Sequence, residues 1–495
     1  MEARPVRPRL RLAAPAASAL LALLVGAALA AVATGASPAA GVSAGARAVG
    51  TFAWPQPLAL GEPSGVVTRV VPGPNGTVYT VAEDGASWSG VARGAIAVTR
   101  VRASDGHVVW RRTYAGPGTW ATPSSIVAMP NGDVVVLGRQ RPDEESGTSW
   151  VVLRYKKGDG ELRWTVTRSS PDAGGRPTDC EAYGLAVDGA GGVYVAGRTG
   201  TNSTTPGVAT AVKYDAGGHE VWLRALPSFD GGILNGVAVD EARNSYVTGC
   251  IVIDADAPTV ALGVVVRLNP DGRVAWSQPI GKSGFFQTAG PLVRGKSLYV
   301  RGLRWVPVEG AATQGWPFVA KVSLATGRRA WVTTLKHIPG SMQQPQGFAV
   351  DKDGNAFICG GSQGVDVAEM PEVTYMGWIY KLRSAGGTEL WHRWVVNDTG
   401  PVAYQGWASD VAVDGAGRAY VAEGWDPDGS DTGSEAVVVR YNAGGGVQKR
   451  WLMPGEATGW GNDCRTVAVI GGKVFAGGGL ETQAGQLGFL QSLVP

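Results

Sequence analysis

The chain has 495 residues, of which 44% are hydrophobic and 17% charged, and its formal net charge is +3. The four arginines and one glutamate of residues 1–33 account for all of this charge. A neutral remainder with scattered charges argues against nucleic acid and against an anionic membrane surface as partners. The 74 glycines and 18 tryptophans, without a sustained helical period, indicate one large β structure.

The first 33 residues have the pattern of a secretory signal peptide. Four arginines within residues 1–11 precede an Ala/Leu-rich run that ends in small residues, among them Ala31, Val32 and Ala33. We therefore predict cleavage, and with it an extracellular or periplasmic protein whose residues 34–50 form a flexible linker. The alternative is an uncleaved anchor, because a run of about 22 residues is long enough to span a bilayer. Membrane contact is expected only through this segment.

A short unit recurs along the rest of the chain. Its clearest copies are YGLAVDGAGGVYVAGRTG (183–200), NGVAVDEARNSYVTGC (235–250), QGFAVDKDGNAFICGG (346–361) and SDVAVDGAGRAYVAEG (409–424). Each combines a short apolar segment, an Asp/Gly turn and a β-rich segment that ends near glycine, which predicts a hairpin. A second hairpin follows each copy, and four antiparallel strands per unit are typical of a β-propeller blade.

One tryptophan marks the predicted fourth strand of every unit. These residues are Trp110, Trp164, Trp222, Trp276, Trp331, Trp391 and Trp451, and they lie 54 to 60 residues apart. This period indicates an array of repeated units rather than separate domains, with seven complete blades in about residues 64–455. A cation precedes each tryptophan on the predicted third strand, and because every blade has one we expect it to serve the blade itself.

The ends of the chain predict an eighth blade. Only three further strands follow Trp451, within residues 460–495, whereas TFAWPQPL (51–58) places Trp54 in step with the period, 56 residues before Trp110. We therefore predict an all-β, eight-bladed β-propeller over residues 51–495. Residues 51–60 supply the fourth strand of the last blade and close the ring, which removes exposed sheet edges. The alternative is seven blades with a loose N-terminal extension.

Turns such as SDGHVVW (104–110) and LATGRRAW (324–331) resemble the PQQ-like repeat of the quinoprotein dehydrogenase-like superfamily. The resemblance covers about residues 51–495 and implies eight blades. Enzymes of that superfamily hold the quinone beneath a disulfide of adjacent cysteines and bind calcium through a Glu/Asn/Asp cluster. This signature is absent, because Cys180, Cys250, Cys359 and Cys464 are far apart in sequence. We therefore expect this chain to share the architecture of that superfamily but not to bind PQQ.

The loops that enter each blade do not repeat, and they meet around one mouth of the central channel. They bring aromatic side chains next to amides and carboxylates such as Asp179 and Glu181, a combination that suits a sugar or a peptide. The predicted ligand-binding residues are Trp120, Tyr183, Phe285, Gln346, Trp407, Asp410, Trp460 and Asp463. The alternative is that the aromatic residues plug the channel and seal gaps between blades.

A calcium site is a further candidate. The loop DPDGSDTGSE (426–435) brings together Asp426, Asp428, Asp431 and Glu435, whose oxygen atoms suit a hard cation. Its spacing is not that of an EF-hand, and acidic, glycine-rich loops are commonly solvated turns. No other cofactor is expected.

The four cysteines suit an oxidising compartment, where an even number permits pairing. Cys180 opens the third blade and Cys250 ends the second strand of the fourth, so we expect them on one face of adjacent blades. We predict a Cys180–Cys250 disulfide. Cys359 and Cys464 are expected to be buried or free.

Only four histidines are present, which leaves little material for a histidine-based triad or metal centre. The residues therefore favour a secreted, monomeric, non-enzymatic propeller that binds a polysaccharide or a protein through the mouth loops. The alternative is a propeller enzyme, either a carboxylate-dependent hydrolase or lyase or a divergent quinoprotein. An enzyme should have two carboxylates facing each other across a water-filled pocket, whereas a binder should have a broader aromatic surface.

Overall fold

The computed structural model describes residues 50–60, 65–85, 94–118, 120–143, 145–170, 175–202, 206–226, 231–252, 261–281, 285–306, 314–335, 342–363, 375–395, 406–425, 434–453, 462–482 and 485–495. These ranges form strands joined by turns. Within them, no helix is long and apolar enough to cross a bilayer. The predicted signal peptide, Trp460, Asp426, Asp428 and Asp431 lie outside the described residues.

The chain begins with β1 (Leu58–Ala59), and the strands then follow in groups of four. The first four groups are β2 (Val66–Pro72), β3 (Thr77–Asp84), β4 (Ala95–Arg102), β5 (Val108–Tyr114); β6 (Trp120–Ala128), β7 (Val134–Arg141), β8 (Ser149–Tyr155), β9 (Leu162–Arg168); β10 (Asp179–Val187), β11 (Val193–Thr201), β12 (Pro206–Tyr214), β13 (Glu220–Ala225); and β14 (Gly232–Val239), β15 (Ser245–Val252), β16 (Ala261–Leu268), β17 (Val274–Pro279).

The remaining strands are β18 (Phe285–Arg294), β19 (Ser297–Val306), β20 (Gln314–Ser323), β21 (Arg329–Thr334); β22 (Met342–Val350), β23 (Ala356–Gln363), β24 (Tyr375–Leu382), β25 (Glu389–Trp394); β26 (Gly406–Val413), β27 (Ala419–Trp425), β28 (Glu435–Tyr441), β29 (Val447–Leu452); and β30 (Asp463–Ile470), β31 (Lys473–Thr482), β32 (Gly485–Leu493).

These strands build eight antiparallel, four-stranded sheets, and seven of them follow chain order from the first strand to the fourth. The first strands of consecutive blades lie next to one another around the axis, and β30 of the last blade lies next to β2 of the first. The predicted all-β, eight-bladed propeller is confirmed. The mouth of its channel is the end at which first strands begin and second strands end.

The N-terminal segment closes the ring. The eighth sheet has the order β1-β32-β31-β30, with Leu58 opposite Leu490, and Phe52 forms an isolated bridge with Leu493. Pro55 and Pro57 have no N–H group to donate, which explains why the closing strand itself has only two residues. The predicted closure by residues from the N-terminal end is therefore confirmed.

Adjacent blades share their apolar cores. Alternate residues of a strand point to opposite faces of the sheet, so Val195 packs toward the second blade whereas Tyr194 packs toward the fourth. In the same way Val81 of the first blade packs with Val136 of the second. Each blade is thus held by its two neighbours.

The repeated tryptophans join one blade to the next through a hydrogen bond. In each case the indole Nε1 donates to a backbone carbonyl beyond its own blade; the pairs are Trp110–Lys157, Trp164–Ala216, Trp222–Pro270, Trp276–Leu324, Trp331–Ser384, Trp391–Ala443 and Trp451–Thr51. The last pair uses the N-terminal segment in place of a turn of the eighth blade. Third-strand cations donate to four of the same carbonyls, from Arg100, Arg154, Lys321 and Lys381.

Trp391→Phe should lower the free energy of unfolding by about 1–2 kcal/mol, because it removes the hydrogen bond to the Ala443 carbonyl while it keeps most of the ring. Chemical denaturation measures this loss. Trp394→Phe is the matched control, since Trp394 is on the same strand and its ring contacts Tyr380 and His392 of its own blade. A change within about 0.5 kcal/mol is expected for the control. Equal losses for both variants would contradict the inter-blade role.

The cysteines correct one prediction. Cys180, Cys250, Cys359 and Cys464 are all free and buried, so the predicted Cys180–Cys250 disulfide is wrong. Cys180 packs into the core shared by the second and third blades. Cys250 is in phase with Tyr246 on β15, and Tyr246 packs toward the fifth blade. The two side chains therefore point in opposite directions around the ring, although their blades are adjacent.

Candidate functional site

The second and third blades place a group of charged and aromatic side chains at the channel mouth. We call this group the mouth cluster; its members are Trp120, Arg139, Arg141, Asp179, Glu181, Tyr183 and Arg198. Trp120 and Asp179 are the first residues of β6 and β10, whereas Arg139, Arg141 and Arg198 lie near the ends of β7 and β11. Two predicted ligand-binding residues, Trp120 and Tyr183, therefore lie on adjacent blades, together with the predicted neighbours Asp179 and Glu181.

An arginine guanidinium lies over each aromatic ring of the mouth cluster. The guanidinium carbon of Arg141 lies 5.8 Å from the centroid of the Trp120 ring, within one blade. That of Arg139 lies 5.9 Å from the Tyr183 ring, across the boundary between two blades. Both rings are half-buried, so part of each ring and its cation remain open to a ligand.

Glu181 is held by two arginines of different blades. Arg198 Nε donates to Glu181 Oε2 over 2.9 Å, whereas Arg139 Nη1 is 3.9 Å from Glu181 Oε1, beyond hydrogen-bond length. Asp179 Oδ1 lies 3.8 Å from Arg141 Nη2. The mouth cluster has three arginines and two carboxylates, which leaves a formal excess of one positive charge.

Charged groups continue toward the eighth and first blades. Asp463, the first residue of β30, is buried; its Oδ2 accepts from Arg465 Nε at 2.6 Å and its Oδ1 accepts from the Gly479 N–H at 3.0 Å. Burial raises the pKa of Glu83, and the charges of Arg465 and Arg139 offset part of that rise. Both carboxylate oxygens of Asp463 thus accept hydrogen bonds from its own blade.

Asp410 lies deeper, in the seam between the seventh and eighth blades. Its Oδ2 accepts from Thr466 Oγ1 at 3.1 Å and from the Val467 N–H at 3.2 Å. Burial raises its pKa, while the Arg69 charge and these hydrogen bonds act in the opposite direction. Asp410 therefore joins two first strands and does not belong to the mouth cluster.

The other predicted site residues are spread around the ring. Trp407 is half-buried on β26, and its ring covers Gly424, where an added Cβ would lie 2.5 Å from Trp407 Cζ2. This contact fills space inside the seventh blade. Gln346 is exposed on β22, and Phe285 begins β18, although its side chain is outside the described part of the chain.

Sequence reasoning missed a buried carboxyl in the seventh blade. Glu423 is fully buried on β27, where its Oε2 accepts from Trp425 Nε1 at 3.0 Å and its Oε1 accepts from the Tyr441 hydroxyl at 3.3 Å. Burial raises its pKa from 4.5 to about 8. The matching second-strand residues of the other blades are Ala82, Gly138, Gly197, Gly249, Gly302, Gly360 and Gly478. Aligning the second strands would have exposed this departure from the repeat.

The described residues do not fit a calcium-bound PQQ centre. The cysteines are separate, buried thiols, so they form no disulfide that could cover a quinone. No group of three His, Cys, Asp or Glu side chains within the described ranges is arranged to hold a metal ion. The predicted calcium loop lies mostly outside those ranges; its Glu435 is half-buried at the start of β28, and burial raises the Glu435 pKa.

No family model matches the chain, and no curated protein matches it in sequence. Among solved structures it is similar to the quinohemoprotein alcohol dehydrogenase from Comamonas testosteroni, with 12% identity, a TM-score of 0.52 and coverage of 87% of this chain and 74% of that chain. It is also similar to the polysaccharide lyase Uly1, with 12% identity, a TM-score of 0.45 and coverage of 86% and 89%. These likenesses concern the fold alone. The chain has the propeller architecture that the quinohemoprotein alcohol dehydrogenase also has, which confirms the resemblance seen in its repeats.

Proposed function

We propose that this protein is a secreted or periplasmic, non-enzymatic propeller that binds an acidic polysaccharide at the mouth cluster. The observation that carries the proposal is the pair of arginine-capped aromatic rings, Arg141 on Trp120 and Arg139 on Tyr183, side by side on adjacent blades. Aromatic faces stack on the apolar faces of sugar rings. Guanidinium groups pair with carboxylate or sulfate in a bidentate way.

The charge arrangement supports an acidic ligand over a neutral one. Arg139 lies 3.9 Å from Glu181, and its buried Nε has no partner among the described residues. A ligand carboxylate that reached Arg139 would gain a charge-assisted hydrogen bond without first breaking a short one.

The same arrangement favours binding over acid–base catalysis. Glu181 is in contact with two arginines and Asp179 faces Arg141, so these carboxylates are paired with cations rather than with each other. A carboxylate-dependent hydrolase needs two carboxyl groups with different protonation states across the scissile bond. The mouth cluster lacks that pairing within the described residues.

The test is affinity electrophoresis of the protein in gels that contain polygalacturonate, with dextran as the neutral polymer. Polygalacturonate should retard the protein, whereas dextran should not. The retardation should weaken between about 50 and 300 mM salt, because exposed charges are screened. Trp120→Ala should weaken binding at least about tenfold, as expected when one stacking surface is lost.

Trp394→Ala is the matched control, because Trp394 is half-buried on a fourth strand, far along the chain from the mouth cluster. It should bind as the wild type does. Equal retardation by both polymers would contradict recognition of acidic groups. Cleavage of polygalacturonate during the assay would instead establish the enzyme alternative.

A further inference from the structure

Two arginines interrupt the repeat deeper in the ring. Arg301 occupies a position on the second strand where the other blades have Val81, Leu137, Ala196, Thr248, Cys359, Ala422 and Gly477. Arg69 lies on the first strand opposite Val81, where the paired positions of other blades include Ser125, Gly184, Gly236, Thr466 and, in the seventh blade, Asp410. A blade does not need an arginine at a position where other blades have small or apolar residues. An arginine there is therefore a candidate for a ligand site.

Arg301 is held in the wall between the fifth and sixth blades. Its Nη1 donates to the Pro345 carbonyl over 2.5 Å, while its Nε is buried and has no hydrogen-bond partner in the described part of the chain. The guanidinium passes over Gly290, whose φ is +59° and where an added Cβ would lie 3.2 Å from Arg301 Nε. The glycine therefore leaves room for the cation.

Arg69 lies on the first blade at the same level of the ring as Arg301, since it is opposite Val81, the first-blade counterpart of Arg301. Its side chain is exposed although its strand lines the channel, and its positive charge acts on both Arg301 and Asp410. Burial, together with the Arg69 charge, lowers the pKa of Arg301 to about 10. Arg301 thus keeps its positive charge where burial is unfavourable to it, and an opposite charge placed there would stabilise it.

The carboxylates among the described residues do not balance the positive charges of Arg69 and Arg301. Neither Arg69 nor Arg301 forms an ion pair with a carboxylate anywhere in the ranges that the structure describes. Asp410 is the one carboxylate that acts on Arg301, and its Oδ2 is occupied by Thr466 and Val467. One carboxylate, already hydrogen-bonded, thus acts on both guanidinium groups.

We propose that the channel binds a small oxyanion, an inorganic phosphate or a small carboxylate, between Arg69 and Arg301. Guanidinium groups present paired N–H donors that match such oxygens, and the unpartnered Arg301 Nε provides one of them. This site is separate from the mouth cluster, because its arginines belong to the first and fifth blades. Failure of a polysaccharide to bind at the mouth cluster would therefore not contradict the oxyanion site.

Isothermal titration of the whole protein with inorganic phosphate, and separately with citrate, tests the site. Phosphate or citrate should bind the wild type, and Arg69→Gln and Arg301→Gln should each weaken binding at least about tenfold. The ligand that binds more tightly identifies the preferred oxyanion. Arg273→Gln, at an exposed turn where 81% of the arginine side chain is accessible, is the matched control and should leave binding unchanged.

Asp410→Asn tests whether the negative charge of Asp410 opposes anion binding. It removes the competing negative charge, so anion binding should tighten, whereas a merely structural role predicts no gain. If Arg301→Gln does not fold, Arg69→Gln decides the test, because the Arg69 side chain is exposed. The proposal is overturned if the wild type binds neither anion, or if Arg69→Gln binds as the wild type does.

Discussion

Trp54→Ala should lower the free energy of unfolding by about 3–5 kcal/mol, the usual cost of truncating a buried tryptophan. Trp54 is 2% exposed, contacts the Phe475 ring at a centroid distance of 5.9 Å, and packs against the turn glycine Gly106 of the first blade. Its backbone carbonyl also accepts from Gln491 Nε2. One side chain thus joins the last blade, the first blade and the N-terminal segment.

Chemical denaturation measures the loss, and Pro55→Ala is the matched control because Pro55 is the exposed neighbour of Trp54. The control should change stability by no more than about 0.5 kcal/mol. Trp54→Ala should also increase aggregation, since loosening residues 50–60 uncovers the edge of β32. A variant as stable as the wild type would show that ring closure does not depend on this segment.

Glu423→Gln should stabilise the protein at alkaline pH and have little effect at acid pH. The pKa of Glu423 is raised from 4.5 to about 8, so between these values the folded state keeps a proton that the unfolded state releases. Wild-type stability contributed by this group is complete below about pH 4.5 and falls as pH rises through about 8. Glutamine carries no ionisable proton and avoids this loss.

The expected gain of Glu423→Gln is about 3–5 kcal/mol near pH 9, because each unit of pKa shift corresponds to about 1.4 kcal/mol. The measurement is the free energy of unfolding of both proteins between about pH 4 and 9. Glu241→Gln is the control, since Glu241 is exposed at a turn of the fourth blade, and its profile should follow the wild type. Parallel profiles for Glu423→Gln and the wild type would mean that this carboxyl is ionised when folded.

The architecture could be predicted because it depends on a repeated local pattern. Every blade needs a tryptophan that reaches the next blade, so the period of these residues reports the number of blades directly. Trp54 obeys that period, and ring closure follows from it. The role of the third-strand cations could also be inferred from their recurrence, and four of them donate to the carbonyls that accept from the tryptophans.

The site was harder to predict because it depends on contacts between blades. Trp120 and Tyr183 were visible as aromatic residues in mouth loops, whereas Arg139 and Arg198 lie on second strands and became relevant only when adjacent blades were placed together. The wrong disulfide has a related cause. Neighbouring blades suggested proximity, but the alternation of side chains along β15 directs Cys250 away from Cys180.

The most direct test of the proposed binding function is the dissociation constant of the protein for an oligogalacturonate, measured by isothermal titration beside Arg139→Gln. Arg139 lies over the Tyr183 ring and 3.9 Å from Glu181, so it is the arginine that the second and third blades share at the mouth. We expect binding by the wild type and an affinity at least about tenfold lower for Arg139→Gln. Equal affinities, or no binding by the wild type, would contradict the proposed function.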